Sequence, residues 1–307
     1  MIMYSGNSAY CFSNSLRMCL KNAGIEDLPD IGLLESLTGM PFGATFLDLQ
    51  IPVFFPSPSN INPEKGLSLA LESLGWNCTT EYFEEEKNAK KALEKAVKEG
   101  PVLVGPLDMG GLSYDSNRLL KQGGDHFVVV TNIDNGWVEL QDPQLFPCAI
   151  LPLHDFLDTW NAKAIGYSTH TYTLRFDFRE TIDISLDEIL DNHLNVVRQL
   201  LSHESVGAIV YGGSDAFSKV AEQVGSTKIH DFINSLVNFC FPLGARRCMD
   251  GSNYFGQVNK EKAAVLMEQK AKLFGQAQYY AVQENWESVV RLMNEMAILE
   301  TELVRAL

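Results

Sequence analysis

The chain has 307 residues, 46% of them hydrophobic, and a formal charge of −15. That length and apolar content suffice for one large core or two ordinary ones and argue against a disordered chain. The negative charge argues against general phosphate-backbone binding and against docking on an anionic membrane surface. Six cysteines without a CxxC pair fit neither a disulfide framework nor a zinc site, so a reducing, cytoplasmic setting is expected. The N-terminus shows no basic region followed by a long apolar run, and no stretch has the length needed to span a bilayer.

In chain order, Asn7 and Ser8 are N-cap residue types, and Phe12, Leu16, Cys19 and Leu20 recur at helical spacing until Gly24. This predicts a helix with Cys11 in its first turn, where unpaired N–H groups and the helix dipole favour a thiolate. Residues 25–62 are rich in Gly and Pro and read as loop with short elements. Their aromatic side chains Phe42, Phe46, Phe54 and Phe55 fit either a pocket lining or plain core packing. Asn62-Pro63 then starts a helix that Gly75 ends. Residues 76–83 read as a strand, 84–99 as a charged amphipathic helix, and 101–105 as a short buried strand. Residues 126–133 and 137–141 form a hairpin about Asp134-Asn135-Gly136; 153–162 read as helix and 172–178 as a further strand. From Ser185 onward nearly everything reads as helix, over 186–203, 214–224, 228–241, 258–274 and 286–307. The change of texture predicts a boundary near residue 180, with an α+β domain over 1–180 and an all-α domain over 181–307.

Cysteine catalysis needs a base for the thiol proton and a third group to orient that base. His126 opens the first hairpin strand and Asp142 ends the second, so the fold of the hairpin brings them together. A nucleophile at a helix start, a base at a strand start and a carboxylate at the partner strand's end form a far more specific pattern than any one of them. Among the other marked residues, Gly212-Gly213-Ser214-Asp215 lacks both the Walker lysine and the Rossmann spacing and reads as loop and N-cap. His154, His170, His193, His203 and His230 show no metal-ligand spacing, and no metal site is expected.

The order and local contexts of Gly6 to Leu16, Gly100-Pro101-Val102-Leu103-Val104, His126 to Val130 and Asp142 resemble the papain-like superfamily, in particular its C39-like peptidase branch. Over most of residues 6–180 the pattern is most similar to the family of the butirosin-biosynthesis H protein. That resemblance implies a papain-like domain with an antiparallel sheet followed by a helical region, with Cys11 as nucleophile, His126 as base and Asp142 as its orienter. It implies an acyl group moving from a carrier-protein phosphopantetheine thioester onto the cysteine and then onto an amine of a small molecule, with no bound cofactor. The Gln that papain-like proteases carry six residues before the cysteine is Ser5 here, so Asn7 or Ser5 is expected to supply the oxyanion donor beside the Cys11 N–H. Asp125 stands where the family tends to have a second histidine, and a carboxylate there would raise the His126 pKa.

Asp108 and Tyr114 are candidate cleft residues that line the substrate. An acidic carrier would need a local basic patch on so acidic a chain; Arg246-Arg247, or Lys87, Lys90 and Lys91, are the candidates. Hydrolysis by the same triad is the alternative activity, and a non-catalytic binding protein with a degenerate papain-like fold is the alternative class. The long C-terminal helices suit packing within one chain or between the two halves of a homodimer.

Overall fold

The computed structural model describes residues 3–161, 163, 165–202 and 205–307. Its first helix, α1 (Cys11–Asn22), starts on the cysteine itself, after Tyr10 in the left-handed region at φ 56° and with no side-chain cap. Asn7 and Ser8 therefore lie in the lead-in turn and not at the cap, a correction of the expected start. Next come α2 (Ile31–Leu37), β1 (Thr45–Leu47), β2 (Val53–Phe55) and α3 (Pro63–Ser73). Asn62 caps α3 by accepting from Lys65 N. The chain continues through β3 (Trp76–Phe83), α4 (Glu86–Ala96), β4 (Val102–Asp108), β5 (Asp125–Asp134), β6 (Trp137–Asp142), β7 (Phe146–Pro152), α5 (Leu153–Trp160) and β8 (Tyr172–Glu180). After these follow α6 (Leu186–Leu201), β9 (Val210–Gly212), α7 (Gly213–Ser226), α8 (His230–Ser235), α9 (Phe241–Gln257), α10 (Glu261–Val282) and α11 (Trp286–Ala306). The expected ends of two helices, Ala162 and His203, lie outside the described residues.

The chain falls into two units, one of Met1–Ile31 with Gly75–Asp183, the other of Gly32–Leu74 with Ile184–Leu307. The grouping is thus not linear in sequence, as a single boundary near residue 180 would have it. The reason is pairing: β1 sits between β2 and β9, with Thr45 opposite Gly212 and Phe46 opposite Tyr211, so the loop-rich segment belongs with the C-terminal helices.

The first unit holds a six-stranded antiparallel sheet in the order β3-β8-β4-β5-β6-β7. Val102, Val104, Val128, Val130, Leu140 and Leu174 bury one side of it with Ala89 and Leu93 of α4 and Phe156 and Trp160 of α5. Asn135 and Gly136, both at positive φ, make the tight turn between β5 and β6 that a twisted hairpin requires. Helix α1 packs on β5, where the Phe12 ring meets the edge of Phe127 at 6.0 Å and Ser15 donates to the Phe127 carbonyl.

In the second unit Phe42, Phe46 and Phe54 are buried. Phe42 packs among Tyr254, Phe255 and His193, so these aromatics are core and not a pocket lining. Around them α9 packs on α10, and α10 and α7 pack on α11. Two ion pairs lie inside this unit, Arg247 with Glu35 and Lys270 with Glu300. Arg247 gives both Nε and Nη2 to one Glu35 oxygen, at 3.0 and 2.8 Å, and Nη1 to the Pro56 carbonyl. This removes Arg247 as a carrier-docking residue. Consecutive helical residues point about 100° apart, so one arginine of the Arg246-Arg247 pair turns inward while Arg246 stays at the surface with Asp250. Among the described residues no helix is long and apolar enough to cross a membrane.

Candidate active site

The hairpin register fixes the base and its carboxylate. Val129 lies opposite Gln141 and Val130 opposite Leu140; continuing that register places Asp142 across from Val128, two residues from His126 and on its face of the sheet. Both side chains are almost wholly buried, and His126 Nε2 lies 2.6 Å from Asp142 Oδ1. The side chain of Cys11, half-buried at the start of α1, lies close enough to the same imidazole to raise its basicity. With Nε2 given to Asp142, Nδ1 is the ring nitrogen left for the sulfur. The structure thus brings together the three residues that the sequence places far apart.

Electrostatics sharpen the arrangement. Burial alone would pull the His126 imidazole down, but the Asp142 charge and hydrogen bond, followed by those of Cys11, outweigh it and raise it to about 10. Burial likewise pushes the Asp142 carboxyl up, and it is overcome by His126, the Gln144 N–H and the Tyr114 hydroxyl, which hold it below the usual carboxylate range. His126 is therefore an imidazolium at neutral pH, the partner that a thiolate requires. The adjacent Asp125 is held elsewhere. Its carboxylate accepts from the Tyr167 hydroxyl at 2.7 Å.

A pH prediction follows from the sign of the His126 shift. A histidine raised above its ordinary value of 6.5 stabilises the fold fully below that value, and this contribution is lost as pH rises towards about 10. Over that window the unfolding free energy from urea titrations should fall with rising pH, by at most about 1.4 kcal/mol per pH unit from this group. In a His126→Gln variant the slope should flatten; an equal slope in both proteins would refute the assignment.

The lead-in turn is organised by Asn14, which lies inside α1 and is buried. Its Nδ2 faces the Asn7 carbonyl oxygen at 3.1 Å and the Ala9 and Tyr10 backbone carbonyls at 2.9 and 3.1 Å, while its Oδ1 accepts from the Ser5 hydroxyl. The Ser5 hydroxyl is thereby turned to Asn14, whereas Asn7, whose Oδ1 also accepts from Ala9 N, has its amide oriented with the NH2 as donor. The first backbone bond of the helix is Asn14 N to Tyr10 O, so the Cys11 N–H belongs to the turn without intrahelical partners and can face an oxyanion. Sequence reasoning missed Asn14. Its signal is the polar run Ser13-Asn14-Ser15 between Phe12 and Leu16, all of it buried.

The N-terminal segment also straps the carboxylate loop. Tyr4 donates to the Asp142 carbonyl at 2.8 Å, and Ser8 N to the Pro143 carbonyl. Gly6 permits this approach, because a Cβ there would collide with the Tyr4 hydroxyl and the Pro143 oxygen. Asp108 and Tyr114, the expected cleft residues, both hold hydrogen bonds beside the site. Asp108 Oδ1 accepts from Gly110 N at 2.8 Å and Gly123 N at 2.9 Å, stapling the β4–β5 loop. Tyr114 places its hydroxyl 2.8 Å from Asp142 Oδ2.

Comparison with known proteins gives three findings. Residues 208–307 match the family model described as the YobF C-terminal domain. A solved structure of a proposed C39-like peptidase from Bacillus anthracis covers 55% of this chain and 89% of its own, at 16% identity and a TM-score of 0.36. The fold and site described above rest on the chain's own geometry and not on that likeness. The uncharacterized protein YobF of Bacillus subtilis (strain 168) is 30% identical over 304 residues, 98% of this chain and 96% of that protein. With a relative matched from end to end and its C-terminal domain recognised independently, the chain belongs to the YobF family.

Proposed function

We propose that this protein is a cysteine-dependent acyltransferase that carries its acyl group on Cys11. The observation that supports this is His126, a buried imidazole in contact with the Cys11 side chain and with the Asp142 carboxylate at once. The Cys11 sulfur attacks the carbonyl carbon of a thioester donor. The oxyanion so formed faces the Cys11 N–H and the Asn7 amide. His126 gives its proton to the departing thiol, leaving a Cys11 acyl thioester and a neutral ring. An amine then attacks that carbonyl, His126 takes its proton, and the amide leaves as the Cys11 sulfur is expelled.

The resemblance to the butirosin-biosynthesis H protein family supports a thioester donor on a carrier phosphopantetheine and a small-molecule amine as acceptor. A thiolate exchanges with a thioester of similar energy, so the first step needs no activation beyond the site itself.

Incubation with short acyl thioesters of N-acetylcysteamine, followed by intact mass, is expected to show one acyl adduct that maps to Cys11 and is absent from Cys11→Ala. Addition of primary amines should discharge it as amide. Discharge as free acid alone, whatever amine is offered, would reassign the site to hydrolysis, and absence of any adduct would overturn covalent catalysis.

A further inference from the structure

The Asp142 carboxylate is held from both of its oxygens, and the two are held by different parts of the chain. Oδ1 accepts from His126 at 2.6 Å and from Gln144 N at 2.7 Å. Oδ2 accepts from the Tyr114 hydroxyl at 2.8 Å. With Oδ1 alone fixed, the group can pivot about that oxygen and swing the imidazole with it; the second contact removes the pivot.

Tyr114 is itself firmly placed. Its ring packs on Phe146 at 5.3 Å. Next to it, Asp115 pairs with Lys121 at 2.7 Å, and the same Lys121 ammonium reaches the Gln144 side chain at 2.9 Å. Gln144 in turn donates its backbone N–H to Asp142. The contacts therefore close into a ring running Tyr114, Asp115, Lys121, Gln144, Asp142 and back to Tyr114. Such a ring ties the β4–β5 loop to the turn that carries the carboxylate, and it has no need of a substrate to form.

We propose that Tyr114 is a positioning residue for the base, acting through Asp142 to hold the His126 ring against Cys11. This rests on the reading of Cys11 as the nucleophile. The hydroxyl donates and the carboxylate accepts: burial and the Asp142 charge push the Tyr114 ionisation upward, so the donor stays protonated wherever Asp142 is charged. The ionisable groups around the carboxylate are His126 on β5, Tyr114, Asp115 and Lys121 on the loop, Tyr4 on the N-terminal segment, and Cys11 through His126.

The test is the pH dependence of Cys11 alkylation by iodoacetamide in the full chain. Mass spectrometry resolved by peptide keeps the exposed Cys148 and the half-buried Cys78 from contributing. Loss of the hydroxyl in Tyr114→Phe lets the carboxylate pivot and the imidazole with it, so the acid limb of the profile should move up as the imidazolium is held less closely to the sulfur. Phe146→Leu loosens the ring packing but keeps the hydroxyl, and its acid limb should stay with the wild type. An unmoved limb in Tyr114→Phe, or an equal shift in Phe146→Leu, would overturn the positioning role while leaving the nucleophile intact. A wild-type Cys11 with the reactivity of an ordinary thiol would overturn both.

Discussion

Asp142→Asn should lower the rate of acyl-adduct formation on Cys11 by about 10³–10⁴-fold, comparable to the loss when a triad carboxylate is amidated elsewhere. The substitution is nearly isosteric, and the amide oxygen can still accept from His126 and Gln144 N. The amide nitrogen would then face the Tyr114 hydroxyl, which can rotate to accept. What disappears is the charge. His126 is raised chiefly by Asp142 against the downward pull of its own burial, so without that charge burial wins and the ring is neutral at pH 7. A neutral ring gives no counter-charge to the thiolate and no proton to the leaving group. Stopped-flow adduct formation at pH 7 checks this, with the urea midpoint measured alongside to show that the variant is folded. A loss smaller than about tenfold would place the orienting role elsewhere.

The second large effect concerns stability. Glu35→Leu and Arg247→Met should each destabilise the fold by about 3–5 kcal/mol, because each removes the buried counter-charge of the other. Glu35 is fully buried and Arg247 nearly so, and one carboxylate oxygen takes two of the guanidinium donors. Combining the two substitutions should recover most of the loss, since two apolar side chains of similar volume replace two desolvated charges. Recovery should stop short of the wild type because the Pro56 carbonyl loses the Arg247 donor. Urea midpoints of the four proteins form the cycle that checks this, and strict additivity of the two losses would refute the coupling.

The strands and helices near the site were legible because their signals are local. The β5–β6 hairpin follows from an Asn135-Gly136 turn between apolar runs, and Pro63 after Asn62 announces α3. The proximity of His126 and Asp142 was legible for the same reason, since both sit at the ends of hairpin strands whose turn is marked. Strand β7 was not: it carries prolines at two of its positions, lies at the sheet edge, and buries only Leu151 fully, so period and composition both mislead. Helix α9 was missed because Gly244, Gly251 and Gly256 lower its propensity. The gain lies in packing, as a Cβ at Gly244 would enter the Phe274 ring.

Side-chain roles were harder to read than elements. Tyr114 lies in a loop without period, where nothing local shows that its hydroxyl will meet a carboxylate on β6. Asn14 has the residue type of a helix cap and acts instead from within the helix on the turn before it. Arg246 and Arg247 look alike in sequence, and only the rotation of α9 separates a surface charge from a core one.

The discontinuity of the first unit has a consequence for the nascent chain. Cys11 is synthesised with the first helix, whereas His126 and Asp142 belong to strands made only after the whole of Gly32–Leu74 has been translated. Cys11 thus leaves the ribosome without its partners, and meets His126 only when a long loop closes and β5 reaches α1. A chain that stops before Asp125 carries Cys11 but neither His126 nor Asp142.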